Sequence, residues 1–143
     1  MAIDPRIYDG LAEFRGALRR FLAIIEAATL ETDITPQQYQ ALLALKAYEP
    51  AGLSIGELAK QLVLQHNGTV QLVNRLAQTE LIERRPSQTD GRSVIVALTR
   101  KGEALLDQLT GDHLQELLDH AQLLAESLRR LRQLERPRKV RLD

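Results

Sequence analysis

The segment that most restricts how this chain can fold runs from Arg84 to Gly102. Arg84, Arg85 and Pro86 lead into a polar, turn-forming stretch, Ser87-Gln88-Thr89-Asp90-Gly91, and Arg92 follows it. Val94-Ile95-Val96-Ala97-Leu98 is then a β-branched, apolar run of strand length. Two short strands around a polar loop with an Asp and an Arg at its tip make a β-hairpin. Upstream lie short helical patterns, so the hairpin occupies the position of a wing behind a helix–turn–helix.

The helical patterns have clear starts. Asp4-Pro5 opens a helix whose apolar positions Ile7, Leu11, Phe14, Leu18, Phe21, Ile25 and Ala28 step by four and three, a heptad-like seam suited to a partner helix. Thr35-Pro36-Gln37-Gln38 combines an N-cap, a Pro at the first helical position and a capping-box Gln, and the helix it opens stops before Pro50. Ser54-Ile55-Gly56-Glu57 predicts a second capping box ahead of Leu58, Ala59 and Leu62. After a turn at Val63-Leu64-Gln65, a helix is expected from about His66 to Thr79. Thr99 caps the next helix, and Asp119-His120-Ala121-Gln122 predicts a bend before a last helix carrying Leu124, Leu128 and Leu131. The tail beyond Glu135, with Arg136, Arg138, Lys139 and Arg141, is basic and adds at most non-specific phosphate attraction.

The helix from His66 has the two faces that a DNA groove requires. Thr69, Leu72, Val73 and Leu76 make the rear, and Asn67, Val70, Gln71, Asn74 and Gln78 the front. Amide side chains pair in bidentate fashion with adenine N6 and N7, and an exposed Val touches a thymine methyl. The front has no acidic residue, and Gly68 leaves room for close backbone approach. Formal net charge is +0, so no global argument for nucleic acid exists. Locally, from Lys60 to Lys101, Lys60, Arg75, Arg84, Arg85, Arg92, Arg100 and Lys101 stand against only Glu80, Glu83 and Asp90. The expected DNA-binding set is Gln65, His66, Asn67, Val70, Gln71, Asn74, Arg75, Arg84 and Arg92, with Lys60 and Arg85 as further phosphate contacts. Arg92 suits a narrow minor groove. Asp90 is expected to stabilise the wing by pairing with Arg92 or Arg84.

Other classes fit poorly. The chain has no cysteine, which removes disulfides, thiolate metal sites and thiol switches. His66, His113 and His120 are scattered, with no nucleophile–base, paired-carboxylate or phosphate-loop pattern beside them, so no enzyme, metal or cofactor is expected. No apolar run reaches signal-peptide or membrane-span length, and the expectation is a cytoplasmic protein without a membrane partner. A winged helix used only for protein–protein contact is the alternative, but a protein-binding wing tends to expose apolar residues rather than Arg84, Arg85 and Arg92.

The chain resembles the MarR family of bacterial transcriptional regulators. The likeness runs through Leu53-Ser54-Ile55-Gly56-Glu57-Leu58-Ala59, Leu72-Val73-Asn74-Arg75-Leu76 and Leu81-Ile82-Glu83-Arg84-Arg85, and ends on Asp90-x-Arg92-Ser93 and Leu98-Thr99-x-x-Gly102. It implies a mainly α fold with a small hairpin wing, a single winged helix–turn–helix domain flanked by N- and C-terminal dimerisation helices. Residues of about 5–30 and 100–136 would form those helices, and about 35–99 the DNA-binding lobe. It also implies a homodimeric repressor on a pseudo-palindromic double-stranded operator, released by a small aromatic or phenolic anion. Tyr8, Phe14, Arg15, Tyr39 and Tyr48 are the available groups for such a pocket, lined by the first two helices and a partner helix. Two departures stand out. Gln71 replaces an Arg common in the recognition helix, and Glu80 replaces the Gly that commonly closes it.

Overall fold

The computed structural model describes residues 2–135. Its elements follow the order α1 (Pro5–Thr29), α2 (Pro36–Ala47), α3 (Ile55–Leu62), α4 (His66–Gln78), β1 (Ile82–Pro86), β2 (Val94–Leu98), α5 (Arg100–Asp112) and α6 (Leu114–Gln133). Among these residues two compact units result, residues 28–112 and the pair of segments 2–27 and 113–135.

Residues 28–112 hold the winged helix–turn–helix. Thr35 caps α2 as expected: its hydroxyl accepts from the Gln38 amide at 3.1 Å, and the Gln38 side chain accepts from the Thr35 amide at 3.0 Å. Ser54 supplies the hydroxyl half of a cap for α3, accepting from the Glu57 amide at 3.2 Å. The core is made of Leu42, Leu45, Leu58, Val73, Leu76 and Val96, each at most 1% exposed. Thr69 joins them on the inner face of α4 because its hydroxyl is satisfied locally, donating to the Gln65 carbonyl at 3.0 Å. Lys46 of α2 ties to Glu103 of α5, with Glu49 at 3.1 Å on the other side. The bond to Glu103, reinforced by Glu49, holds the ammonium up at about 12.

The wing is antiparallel, with Ile82 opposite Leu98, Arg84 opposite Val96 and Pro86 opposite Val94. Leu53 adds one bridge to Val96, with N–H···O distances of 2.7 and 3.2 Å, so the segment before α3 acts as a one-residue third strand. The base of the hairpin is fixed by Thr99. Its hydroxyl donates to the Glu80 carbonyl at 2.6 Å and accepts from the Gly102 amide at 3.0 Å, capping α5. Gly102 lies against the backbone here; a Cβ at this position would sit 2.0 Å from the Leu81 carbonyl oxygen. Both the turn and the cap therefore depend on the Leu98-Thr99-x-x-Gly102 spacing.

α3 and α4 both end on a left-handed residue that is not glycine, Val63 (φ 54°) and Glu80 (φ 63°). In each case the next residue closes the helix, Leu64 N–H reaching the Ala59 carbonyl and Leu81 N–H the Leu76 carbonyl, both at 3.0 Å. The local conformation costs a side-chain-bearing residue on the order of 1 kcal/mol, more for a β-branched one.

In the other unit α1 and α6 run antiparallel, Gly10 lying against Leu131 near one end. Glu13 of α1 pairs with Arg130 of α6. Burial is sparse. Of α6 only Ser127 is buried, its hydroxyl donating to the Leu124 carbonyl at 2.7 Å. Along the expected seam of α1 the burial is partial in this single chain, complete only at Ile25 and Ala28, while Leu11 is exposed. No break occurs at Asp119, where the sequence predicts a bend; the helix is interrupted instead at His113, the single residue between α5 and α6. Asp119 does not cap; it accepts from Gln115 at 2.9 Å inside the helix, and the His120 ring meets the Glu116 carbonyl at 3.0 Å. Both groups find partners one turn back, a side-chain amide for Asp119 and a backbone carbonyl for His120, and the helix continues through them, so the capping pattern had no free amides to serve. The basic tail lies outside the described residues.

Candidate nucleic-acid interface

α4 presents the polar face that its sequence predicts. Gln65, His66, Asn67, Gln71, Asn74 and Arg75 are exposed and Val70 is half-buried, while Thr69, Leu72, Val73 and Leu76 face inward. No side chain caps the start of α4, where Gln65 takes the N-cap position. Such a terminus favours an approaching anion through the helix dipole and its first amides. Gly68 is open, with nothing within 4 Å of where a Cβ would stand. Lys101 closes the other end, donating to the Thr79 carbonyl at 3.0 Å.

The wing carries the cations, and they differ in what they already hold. Strand alternation places Ile82 and Arg84 on the same side, opposite the buried Leu98 and Val96. Arg84 thereby reaches α4, and its Nη2 donates to Asn74 Oδ1 at 2.6 Å. Arg85, on the opposite side, is tied to Glu83 of its own strand. Among the described residues Lys60, Arg75 and Arg92 make no ion pair, leaving these charges available to phosphate or groove.

Asp90 does stand at the head of the wing loop, but its partners differ from expectation. It accepts from the Arg92 backbone amide at 3.1 Å and from the Ser93 hydroxyl at 2.9 Å, and neither Arg92 nor Arg84 gives it a guanidinium. The bond from the Arg92 amide, then that from Ser93, holds the Asp90 carboxyl below its ordinary value. A short side chain reaches the amide two residues on at little entropic cost, whereas an exposed ion pair across the loop contributes little. The Arg92 guanidinium is left pointing free of the pair.

Sequence reasoning treated Asn74 and Arg84 as independent contacts and missed that they meet. It also missed Leu53, Lys101 and the double role of Thr99. The motif Leu98-Thr99-x-x-Gly102 carried a signal for Thr99, but the others depend on which side of the hairpin faces α4.

A separate open cleft of about 260 Å³ lies between α1 and α6, lined by Arg20, Ala23, Ile24, Ala27, His113, Glu116 and His120. His113 Nδ1 is 3.8 Å from Glu116 Oε2. None of Tyr8, Phe14, Arg15, Tyr39 and Tyr48 lines it. Tyr39 is instead buried, with its hydroxyl bonded to Thr110 at 2.6 Å, and Tyr48 accepts from Gln61 at 3.0 Å. Among the described residues no group of three or more His, Asp or Glu is placed to hold a metal, and no helix is long and apolar enough to cross a membrane.

A profile of the MarR family matches residues 32–93. The chain is 31% identical over 115 residues to the HTH-type transcriptional regulator YsmB of Bacillus subtilis, covering 78% of this chain and 77% of that one. The chain belongs to the MarR family. It is 35% identical over 95 residues to the HTH-type transcriptional repressor NicR of Pseudomonas putida, covering 66% of this chain and 59% of that one. A structure of a MepR variant of S. aureus bound to an oligodeoxyribonucleotide superposes with a TM-score of 0.62, at 25% identity, over 85% of this chain and 94% of that chain. As a MarR-family member the protein is a DNA-binding transcriptional regulator and not an enzyme. The protein-contact alternative is not favoured.

Proposed function

We propose that this regulator is a homodimeric repressor that sits on a pseudo-palindromic operator and is released by a small anionic effector. One observation carries the reading: an uncapped α4 with Asn67, Gln71 and Asn74 on its solvent face stands beside a wing whose Arg92 has no intramolecular ion-pair partner. Gln65, His66, Asn67, Val70, Gln71 and Asn74 would meet the major groove and Arg92 the minor groove. Lys60, Arg75 and Arg84 would meet phosphates at the edges, and Asp90 would hold the wing loop.

Dimerisation through α1 and α6, with residues of about 35–99 as the DNA-binding lobe, is supported by the half-exposed seam of α1 and the nearly unburied α6. The cleft beside Arg20 supports the effector: Arg20 and two imidazoles, one of them facing Glu116, stand with Ala23, Ile24 and Ala27 around a space that suits an anion with a small apolar body. Repression is supported by the likeness to NicR, a transcriptional repressor.

The test is selection from a pool of random duplex DNA at about physiological salt. An inverted repeat with half-sites about one helical turn apart is the expected result. Retention without enrichment, fading steeply with salt, overturns sequence-specific binding. With the selected site in hand, benzoate is expected to lower its occupancy, and Arg20→Ala to abolish that response. Equal release from the variant removes the cleft as the effector site.

A further inference from the structure

The contact between Arg84 and Asn74 bears on which base the recognition helix can read, and it rests on the DNA-binding reading above. A guanidinium carries only donors, so the Asn74 atom it meets at 2.6 Å is the carbonyl oxygen. The side-chain NH2 of Asn74 therefore faces away from β1. Arg84 can hold this orientation because strand alternation sets it on the α4 side of the wing, anchored by its pairing opposite the fully buried Val96. Asn67 and Gln71, earlier on the same helix face, make no side-chain hydrogen bond among the described residues and keep both orientations.

The geometry points to Arg84 as a specificity-determining residue that acts through Asn74: it turns a two-way amide into a donor, so that Asn74 reads guanine. A free Asn pairs with adenine by accepting from N6 and donating to N7. With its carbonyl turned to Arg84, Asn74 offers N–H groups only, and guanine, with O6 and N7 both acceptors, is the base edge that matches. Arg84 thus sets the sign of the contact without touching the base. A pure phosphate contact would instead strengthen all sequences alike.

The experiment is random-duplex selection with the full chain, run for the wild type, Asn74→Ala, Asn74→Asp, Arg84→Met and Arg84→Lys, each checked for an unchanged thermal unfolding midpoint. Asn74→Ala marks the base pair that Asn74 reads. At that pair the wild type is expected to take guanine over adenine by roughly tenfold. Arg84→Met frees the amide and swings the ratio towards adenine, whereas Arg84→Lys, which still donates, keeps guanine. Asn74→Asp, which retains a partner for Arg84 but has no donor, loses the guanine preference even if Arg84→Met proves unstable.

Three results overturn the inference. Wild-type preference for adenine at the marked pair is one. An Asn74→Ala variant with an unaltered preference everywhere is the second. The third is an Arg84→Met variant that binds every sequence more weakly, with a shallower salt dependence and its guanine preference intact, which makes Arg84 a phosphate contact alone. A wild type that enriches no site at all is a different failure, that of the operator reading itself.

Discussion

The two units of this chain bury their apolar side chains to very different degrees. Residues 28–112 enclose Leu42, Leu45, Leu58, Val73, Leu76 and Val96 almost completely. α6, a helix of 20 residues, buries only Ser127 and leaves Leu118 55% and Leu128 40% exposed. Each fully buried Leu or Val contributes about 1.5–3 kcal/mol, so the winged unit has the means to hold itself together. The helical pair has an apolar stripe with too little to cover it, and the dimer proposed above would use this stripe. The teaching is that one chain carries two kinds of apolar surface, one closed within the winged unit and one left open along the helical pair.

The sharpest way to break this comparison is Leu118→Glu with Leu128→Glu. Removing two apolar contacts of about 1.5 kcal/mol or more each should weaken self-association by at least about a hundredfold. Sedimentation would show a shift from dimer to monomer, while the helix content of the winged unit persists. A dimer of unchanged strength would place the association surface elsewhere.

Next in size is Gly102→Ala, which strikes the unit with the closed core. Its new methyl meets the Leu81 carbonyl oxygen, and the hairpin base must move, at a cost of about 2–3 kcal/mol. Urea unfolding should show the loss directly. An unaltered midpoint would mean that the cap and the Thr99 turn are looser than the geometry indicates.

A smaller change, of opposite sign, is expected at the helix ends. Val63→Gly removes a β-branched residue from the left-handed region and should stabilise by about 1 kcal/mol, with Glu80→Gly giving somewhat less. Denaturant midpoints that fall rather than rise would show that the freedom gained by the unfolded chain outweighs the relief of strain.

The least effect belongs to the wing tip. The bond from the Arg92 amide holds the Asp90 carboxyl below its ordinary value in the folded chain, so its contribution is complete above the ordinary carboxylate range and disappears as the pH falls through the lowered folded-state value. Protection of the Arg92 amide, its exchange relative to the intrinsic rate at the same pH, should therefore be present at neutral pH and be lost only in acid. Asp90→Ala should lack that protection at every pH and lose DNA affinity with the dimer intact. Protection that persists in this variant would assign the order of the loop to Ser87 and the strand ends.

Local rules were enough to read much of this molecule. The Thr35 and Ser54 caps, the turn at Val63-Leu64-Gln65, the inner and outer faces of α4 and the strand Val94–Leu98 all follow from interactions within a few residues. The left-handed Glu80 also follows, because the helix end demands that conformation whichever residue stands there. The bend misplaced at Asp119 is an instance of the limit: Ser, Thr and Asp serve as caps or as pairs within a helix, and sequence spacing alone does not choose between these uses.

What the sequence by itself determined is therefore the set of elements, the polar face of α4 and the family. Tertiary structure decided which groups were already spoken for. Arg84 is held by Asn74 because the hairpin register turns one side of β1 towards α4, and Asp90 serves backbone and hydroxyl rather than a guanidinium. Periodicity follows from local geometry, and so the sequence displays it. Pairings between side chains far apart in the chain depend on how strands and helices meet in space, and only the fold supplies that.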